Sequence, residues 1–98
     1  MYKYTLLKQD GTKKDLGISK QKHFEEFREI LSCGTIEIIP SDYYKEMGYG
    51  RCNMYGDEEA RFNENNKRNP HFKVLKDFEG NDWDIVGNII MEKKEVKL

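Results

Sequence analysis

The feature that most constrains this fold is segment 83–91, which carries apolar residues on both faces of an extended chain. In a strand, one face of this segment would hold Trp83, Ile85, Gly87, Ile89 and Met91. The opposite face would hold Val86 and Ile90. A strand of this kind lies in the middle of a sheet and is covered on both sides. Those covers must come from the rest of the 98-residue chain or from a second subunit.

The sequence contains one convincing helix to serve as a cover. Phe24, Phe27, Ile30 and Leu31 recur at three- and four-residue spacing and predict an amphipathic helix over 20–32. Ser19 is the predicted N-cap, and Gly34 lies at the predicted C′ position. One helix covers only one face of a sheet. The other face must be covered by the loops at 41–50 or 63–75, or by a second subunit, and we expect a homo-oligomer.

Three further patterns complete the predicted sheet. Residues 2–8 alternate as a strand does, and a turn containing Asp10-Gly11 leads to a short return strand over 13–16. Strands are also predicted over 35–39 and 51–55. The predicted fold class is α+β, with one mainly antiparallel β-sheet and a single helix packed on one face. Residues 1–92 form the predicted single domain, and residues 93–98 form a charged C-terminal tail.

Composition excludes several classes of protein. Seventeen basic and eighteen acidic residues give a net charge of −1, so bulk charge does not indicate a polyanion binder. No apolar run approaches the roughly 20 residues of a membrane span, and the first residues lack the apolar core of a signal peptide. With two cysteines, we expect a cytoplasmic protein with reduced thiols. Cys33, Cys52, His23 and His71 lack paired metal-ligand spacing, so neither a metal nor a cofactor is predicted.

Charge is unevenly distributed along the chain. Residues 1–22 contain six lysines and two aspartates, a net charge of +4 against −5 on the remainder. Alternating lysines on an edge hairpin are most simply explained as protection against pairing with another strand. We therefore expect neither a nucleic-acid nor a membrane partner.

A group of residues suited to ligand binding lies between positions 43 and 68. It comprises three tyrosines of a loop and the polar residues and tyrosine that follow: Tyr43, Tyr44, Tyr49, Arg51, Tyr55, Arg61, Asn65, Asn66, Lys67 and Arg68. Tyrosine stacks on flat rings, arginine binds phosphate or carboxylate, and asparagine reads a donor and acceptor edge. The same residue types also form antibody-like protein-binding surfaces. A third interpretation is that the tyrosines cover the sheet and the charges face water.

Three motifs in a fixed order resemble those of a known family. They are Cys33-Gly34-Thr35-Ile36-Glu37-Ile38-Ile39, then Met54-Tyr55-Gly56-Asp57-Glu58-Glu59-Ala60-Arg61-Phe62, and finally Asp84-Ile85-Val86-Gly87-Asn88-Ile89-Ile90. The chain resembles the small DUF3846-type proteins of bacteriophages and mobile elements over residues 1–92. Ala60 replaces the turn glycine of that pattern, and Asn65-Asn66 stands where proline is common. The resemblance implies a phage or mobile-element accessory protein without established chemistry.

The leading hypothesis is a non-catalytic anti-defence protein, a sponge that sequesters a nucleotide-type immune signalling molecule. The alternative is an inhibitor or adaptor that binds a host protein through the tyrosine-rich loop 41–50. An enzyme is not expected, because neither histidine has an orienting partner nearby in the sequence. A hydrolase would have to use Asp57 or Glu58 together with His71.

Overall fold

A computed structural model describes residues 1–45, 47–76 and 79–95, with the backbone alone at residues 75 and 83. Its main sheet has five antiparallel strands in the order β2-β1-β7-β4-β3. The elements are β1 (Tyr2–Leu7), β2 (Lys13–Ser19), α1 (Phe24–Leu31), β3 (Ile36–Ile38), β4 (Asn53–Asp57), β5 (Leu75–Lys76), β6 (Asp82–Trp83) and β7 (Ile89–Lys94). Strands β5 and β6 pair separately, and single 3₁₀ turns occupy Ser41–Tyr43 and Ala60–Phe62. The predicted fold class is confirmed.

Helix α1 is shorter than the sequence predicts. Strand β2 extends to Ser19, so this residue is not the N-cap. The N-cap is His23, whose backbone N–H donates to the Glu26 carboxylate at 2.8 Å. At the other end Ser32, and not Gly34, adopts the left-handed conformation, with φ of 53°. Residues 20–22 connect β2 to the helix, so α1 begins at Phe24, four residues later than predicted.

The prediction of one strand over 83–91 is wrong in its bounds but right about the central position. Gly87 has φ of +83°, which interrupts the extended chain, so β7 begins at Ile89. Strand β7 is the middle strand of five, and Ile89 and Ile90 are buried on opposite faces of it. It continues to Lys94, two residues into the predicted charged tail. The Trp83 side chain and residues 96–98 lie outside the described residues.

Two apolar clusters cover the two faces of the sheet. On the helix side, Phe27 packs with Tyr4, Leu6, Tyr55 and Ile90. On the other side, buried Tyr44 and Phe72 pack with strand and loop residues: Leu7, Ile39, Met54, Ile85 and Ile89. The second face is therefore covered by the chain's own loops, one of the alternatives that the sequence left open. The argument for self-association from an uncovered face no longer applies.

No helix within the described residues is long and apolar enough to cross a membrane.

Candidate functional site

The centre of the candidate site is Glu92, a carboxylate that is 1% exposed in the middle of the sheet. Strand alternation places it on the same face as Ile90, the face that helix α1 covers. The sheet register sets Glu92 opposite Tyr4 on one side and Asn53 on the other. The neighbouring strands β1, β7 and β4 thus place Tyr4, Glu92 and Asn53 in one polar row beside the apolar cluster.

Neutral donors hold the Glu92 carboxylate. Its Oε2 accepts from the Tyr4 hydroxyl at 2.7 Å, and its Oε1 accepts from the Tyr55 hydroxyl and from Asn53 Nδ2, each at 3.1 Å. The Tyr4 oxygen in turn accepts from the Lys22 backbone N–H at 2.7 Å. Burial, reinforced by the Glu92 charge and hydrogen bonds, raises the pKa of both phenols well above the ordinary tyrosine value. Both hydroxyls therefore stay protonated as donors at neutral pH.

A cleft of about 640 Å³ opens beside this row, and we call it the Glu92 cleft. Strand residues and the loop between β3 and β4 line it: Tyr2, Ser41, Tyr44, Lys45, Gly50, Arg51, Cys52, Asn53, Glu92 and Lys94. Its volume lies within the range of small-molecule sites. Tyr2 and Tyr44 contribute aromatic surface, and Tyr44 is held in place by a hydrogen bond from its hydroxyl to the Cys52 carbonyl at 3.2 Å.

Three cations line the Glu92 cleft. Arg51 and Lys94 are exposed, and Lys45 is ion-paired with Asp42 at 3.0 Å. Hydrogen bonds from three neutral groups do not cancel the negative charge of Glu92, so an entering anion would bind the cations at the rim and not the Glu92 end of the cleft. Cations beside aromatic surface suit an anion that carries a planar ring.

The structure turns the predicted tyrosines toward the protein interior. Tyr44 is 5% exposed within the loop-side cluster, and Tyr43 and Tyr49 pack against the same cluster. The Tyr49 hydroxyl also donates to the His71 carbonyl at 3.1 Å. Tyr55 is buried and stacks on Phe27, with ring centroids 4.4 Å apart. These side chains serve as the cover of the sheet, and of the four only Tyr44 also lines the Glu92 cleft.

The later polar residues of the predicted site lie outside the Glu92 cleft: Arg61, Asn65, Asn66, Lys67 and Arg68. Most of them hold the loop that follows the 3₁₀ turn. Arg61 donates to the Asp84 carbonyl, Asn66 Nδ2 donates to the Ala60 carbonyl at 3.0 Å, and Arg68 donates to the Phe72 carbonyl at 2.9 Å. The backbone N–H of Lys67 donates to Gln9, and that of Asn65 donates to Asn63. Of the ten predicted residues, the cleft brings together Tyr44 and Arg51.

The residues considered for hydrolysis do not share a site. The ring of His71 lies 3.1 Å from the Thr12 carbonyl at the hairpin turn. Asp57 and Glu58 line a smaller cleft of about 190 Å³ with Glu37 and Arg61, and His71 does not line it. Burial, followed by the neighbouring acid Glu58, raises the pKa of Glu37. Among the residues described, no group of three or more His, Cys, Asp or Glu is placed to hold a metal ion.

Sequence reasoning missed most of the cleft. Glu92 and Lys94 fall in a charged run at the boundary between the predicted domain and the predicted tail, yet their two-residue spacing from Ile90 carries the signal of a shared face. It also missed Asn69, which is fully buried and whose Nδ2 donates to the Leu7 carbonyl at 2.9 Å and to the Gly87 carbonyl at 2.8 Å. No local pattern distinguishes Asn69 from the exposed asparagines beside it.

These features define a small α+β domain with a lined cleft on the helix side of its sheet. No family model, curated protein or solved structure matches the chain. The resemblance to DUF3846-type proteins therefore stays a prediction.

Proposed function

We propose that the protein binds a nucleotide-type anion in the Glu92 cleft without transforming it. The observation that carries this proposal is a ligand-sized cleft that combines cationic side chains with aromatic surface. Arg51 and Lys94 would bind phosphate oxygens, and the Tyr2 ring would contact the base. This assignment keeps the ligand class predicted from the sequence and moves its site to a different set of residues.

The hydrogen bonds of the row support a binding role over a catalytic one. The two phenols and the Asn53 amide donate to Glu92, so these groups stabilise one another. A general base needs a carboxylate or imidazole that can reach the proton it abstracts. Side chains that already hold one another by hydrogen bonds instead favour tight binding, because little side-chain freedom is lost when a ligand enters.

The alternative, a protein-binding surface on loop 41–50, has weaker support. Protein-binding aromatic residues project into solvent, whereas Tyr44 is buried and Tyr43 and Tyr49 are half-buried against the core. The biological setting in a phage or mobile element, and a role against host defence, rest on the sequence resemblance alone and remain part of the proposal.

Binding is tested by titrating the protein with ATP, GTP, cyclic mononucleotides and cyclic dinucleotides in a calorimeter. We expect at least one to bind, and Arg51→Ala to weaken that binding by about ten- to a hundredfold, the value of one charged hydrogen bond. Arg61→Ala is the matched control, because Arg61 lines the separate acidic cleft. Recovery of unaltered nucleotide after incubation supports a non-catalytic role.

Two results would count against the proposal. One is a complete panel that produces neither heat nor a shift in melting temperature. The other is a nucleotide whose affinity falls with Arg61→Ala and not with Arg51→Ala, which would place the site elsewhere. A chemically changed nucleotide would restore the enzyme hypothesis, and Asp57, Glu58 and His71 would then be substituted first.

A further inference from the structure

Two lysines stand directly opposite each other on the inner strands of the sheet. The register of β1 and β7 pairs Lys3 with Lys93, and both side chains lie on the face opposite the Glu92 cleft. Directly opposed residues of an antiparallel pair have Cβ atoms roughly 5 Å apart, and like charges in that position destabilise the pair. Within the described residues, no carboxylate lies within 4.0 Å of either ammonium group.

Protection of a sheet edge does not explain this pair. Strand β2 is the edge strand beside β1, and β1 and β7 are both paired on their two sides. Edge protection accounts for Lys13 and Lys14 on β2 but not for Lys3 or Lys93. An anion bound beside the two ammonium groups would offset the repulsion expected of like charges at opposed positions.

A shallow groove of about 550 Å³ extends from the lysine pair, and we call it the lysine face. Its lining residues are Lys3, Thr5, Lys13, Asp15, Met91, Lys93, Lys94 and Glu95. By strand alternation Lys94 belongs to the face of Glu92, whose cleft it also lines. The other three lysines against two acids leave this surface positive, although the whole chain carries a net charge of −1. Lys13 is paired with Leu7, four residues along β1 from Lys3, which separates the two cationic positions by roughly 13 Å.

We propose that the lysine face docks on the phosphate backbone of double-stranded DNA. Cationic positions that far apart engage separate phosphates, which favours a polymer over a single phosphate group. Among the described residues that line the groove there is no arginine, the residue that binds planar carboxylates through a fork, so an acidic peptide is the poorer fit. Those lining residues also include no aromatic residue on which unpaired bases could stack, which disfavours a single strand. Contacts of this kind position a protein without reading base sequence.

The test measures fluorescence anisotropy of a labelled duplex of arbitrary sequence over a series of salt concentrations. Three phosphate contacts, from Lys3, Lys13 and Lys93, predict a slope of log K against log salt of about −2.7. The double variant Lys3→Gln/Lys93→Gln should make the slope shallower by about 1.8. It should also leave the melting temperature unchanged or higher, because it removes the like-charge pair. Lys20→Gln/Lys73→Gln removes the same charge from exposed positions outside the groove and should change the slope far less.

Several outcomes would overturn the proposal. These are no duplex binding at low salt, the same slope in the Lys3→Gln/Lys93→Gln variant, or the same loss in both double variants. Equal affinity for a single-stranded oligonucleotide or for polyglutamate would also overturn it, in favour of a stacking or an acidic-protein partner. The nucleotide panel has no part in this experiment, so the lysine face and the Glu92 cleft can fail separately.

Discussion

Glu92 combines a buried charge with three hydrogen bonds, and this determines how the residue can be changed. A buried carboxylate loses hydration, and its donors Tyr4, Tyr55 and Asn53 replace part of that loss. Substitution Glu92→Ala would leave two phenols and an amide without their acceptor. We expect it to lower the free energy of unfolding by about 2–4 kcal/mol, measured by urea denaturation.

Two further variants make that prediction specific to the hydrogen bonds. Glu92→Gln keeps the shape and one acceptor oxygen, so its loss should be smaller, about 1 kcal/mol. Glu64→Ala removes an exposed acid and should change stability by less than about 0.5 kcal/mol. An equal effect of all three variants would show that the row around Glu92 does not stabilise the fold.

At this scale the sequence predicts residue chemistry better than residue position. It singles out Arg51 and Tyr44, which do line the Glu92 cleft, together with eight residues that do not. Tyrosine in a loop has the composition of a binding surface whether its ring faces solvent or the core. The difference depends on long-range packing, such as that between Tyr49 and Phe72, whose ring centroids lie 6.4 Å apart. Local sequence does not encode such a contact.

Helix α1 stabilises the sheet through a small part of its apolar stripe. Phe27 is 1% exposed and stacks on Tyr55, whereas Phe24 is 43% exposed at the start of the helix. Phe27→Ala should therefore lower the free energy of unfolding by about 3–5 kcal/mol. Phe24→Ala removes the same side chain from a half-solvated position and should cost about 1 kcal/mol.

Urea denaturation of the two phenylalanine variants, with α-helix content followed by circular dichroism, measures both losses. A similar loss for Phe24→Ala and Phe27→Ala would mean that the helix is held mainly by its end. It would also contradict the two-face arrangement of the core, in which Phe27 is the helix residue that is buried.

Elements were predictable where the pattern is local, and their ends were not. The β1–β2 hairpin forms at the predicted Asp10-Gly11 turn, with Gly11 at φ of +91°. The helix start was wrong because N-cap propensity alone does not place a helix. The Ser19 hydroxyl donates to the Lys20 carbonyl at 2.8 Å, and α1 begins at Phe24. The strand predicted over 83–91 was wrong because the alternation of apolar residues does not reveal the positive φ of Gly87. The Gly87 backbone N–H donates instead to the Lys67 carbonyl at 2.9 Å.

Across the whole molecule, the most informative sequence argument compared the two apolar faces of the central strand with the single helix available to cover them. It predicted a central strand with two buried faces and one helix, and it correctly required something else on the second face. The choice between loop and subunit depended on loop 41–50 folding back onto the sheet, which composition does not determine. The two faces also differ in charge beyond their covered parts, with the Glu92 cleft on one and the lysine face on the other.

Tyrosines on both sides of the sheet couple stability to alkaline pH. Burial raises the pKa of Tyr4 and Tyr55 on the helix side, and of Tyr44 and Tyr49 on the loop side. In the unfolded chain these phenols ionise near pH 10. Above that pH the unfolded state binds fewer protons than the native state, so the free energy of unfolding must fall as pH rises. Below it, their contribution to stability is complete and constant.

We therefore expect tyrosinate absorbance from these four residues to appear together with loss of circular dichroism in an alkaline titration. The variant Tyr4→Phe/Tyr55→Phe should begin from lower stability, because Glu92 loses two donors, and should then fall less steeply with pH. Tyr2→Phe is the matched control, since the Tyr2 hydroxyl is not part of the Glu92 row. If all the tyrosines ionised near pH 10 while the fold remained intact, the buried positions of both tyrosine pairs would be wrong.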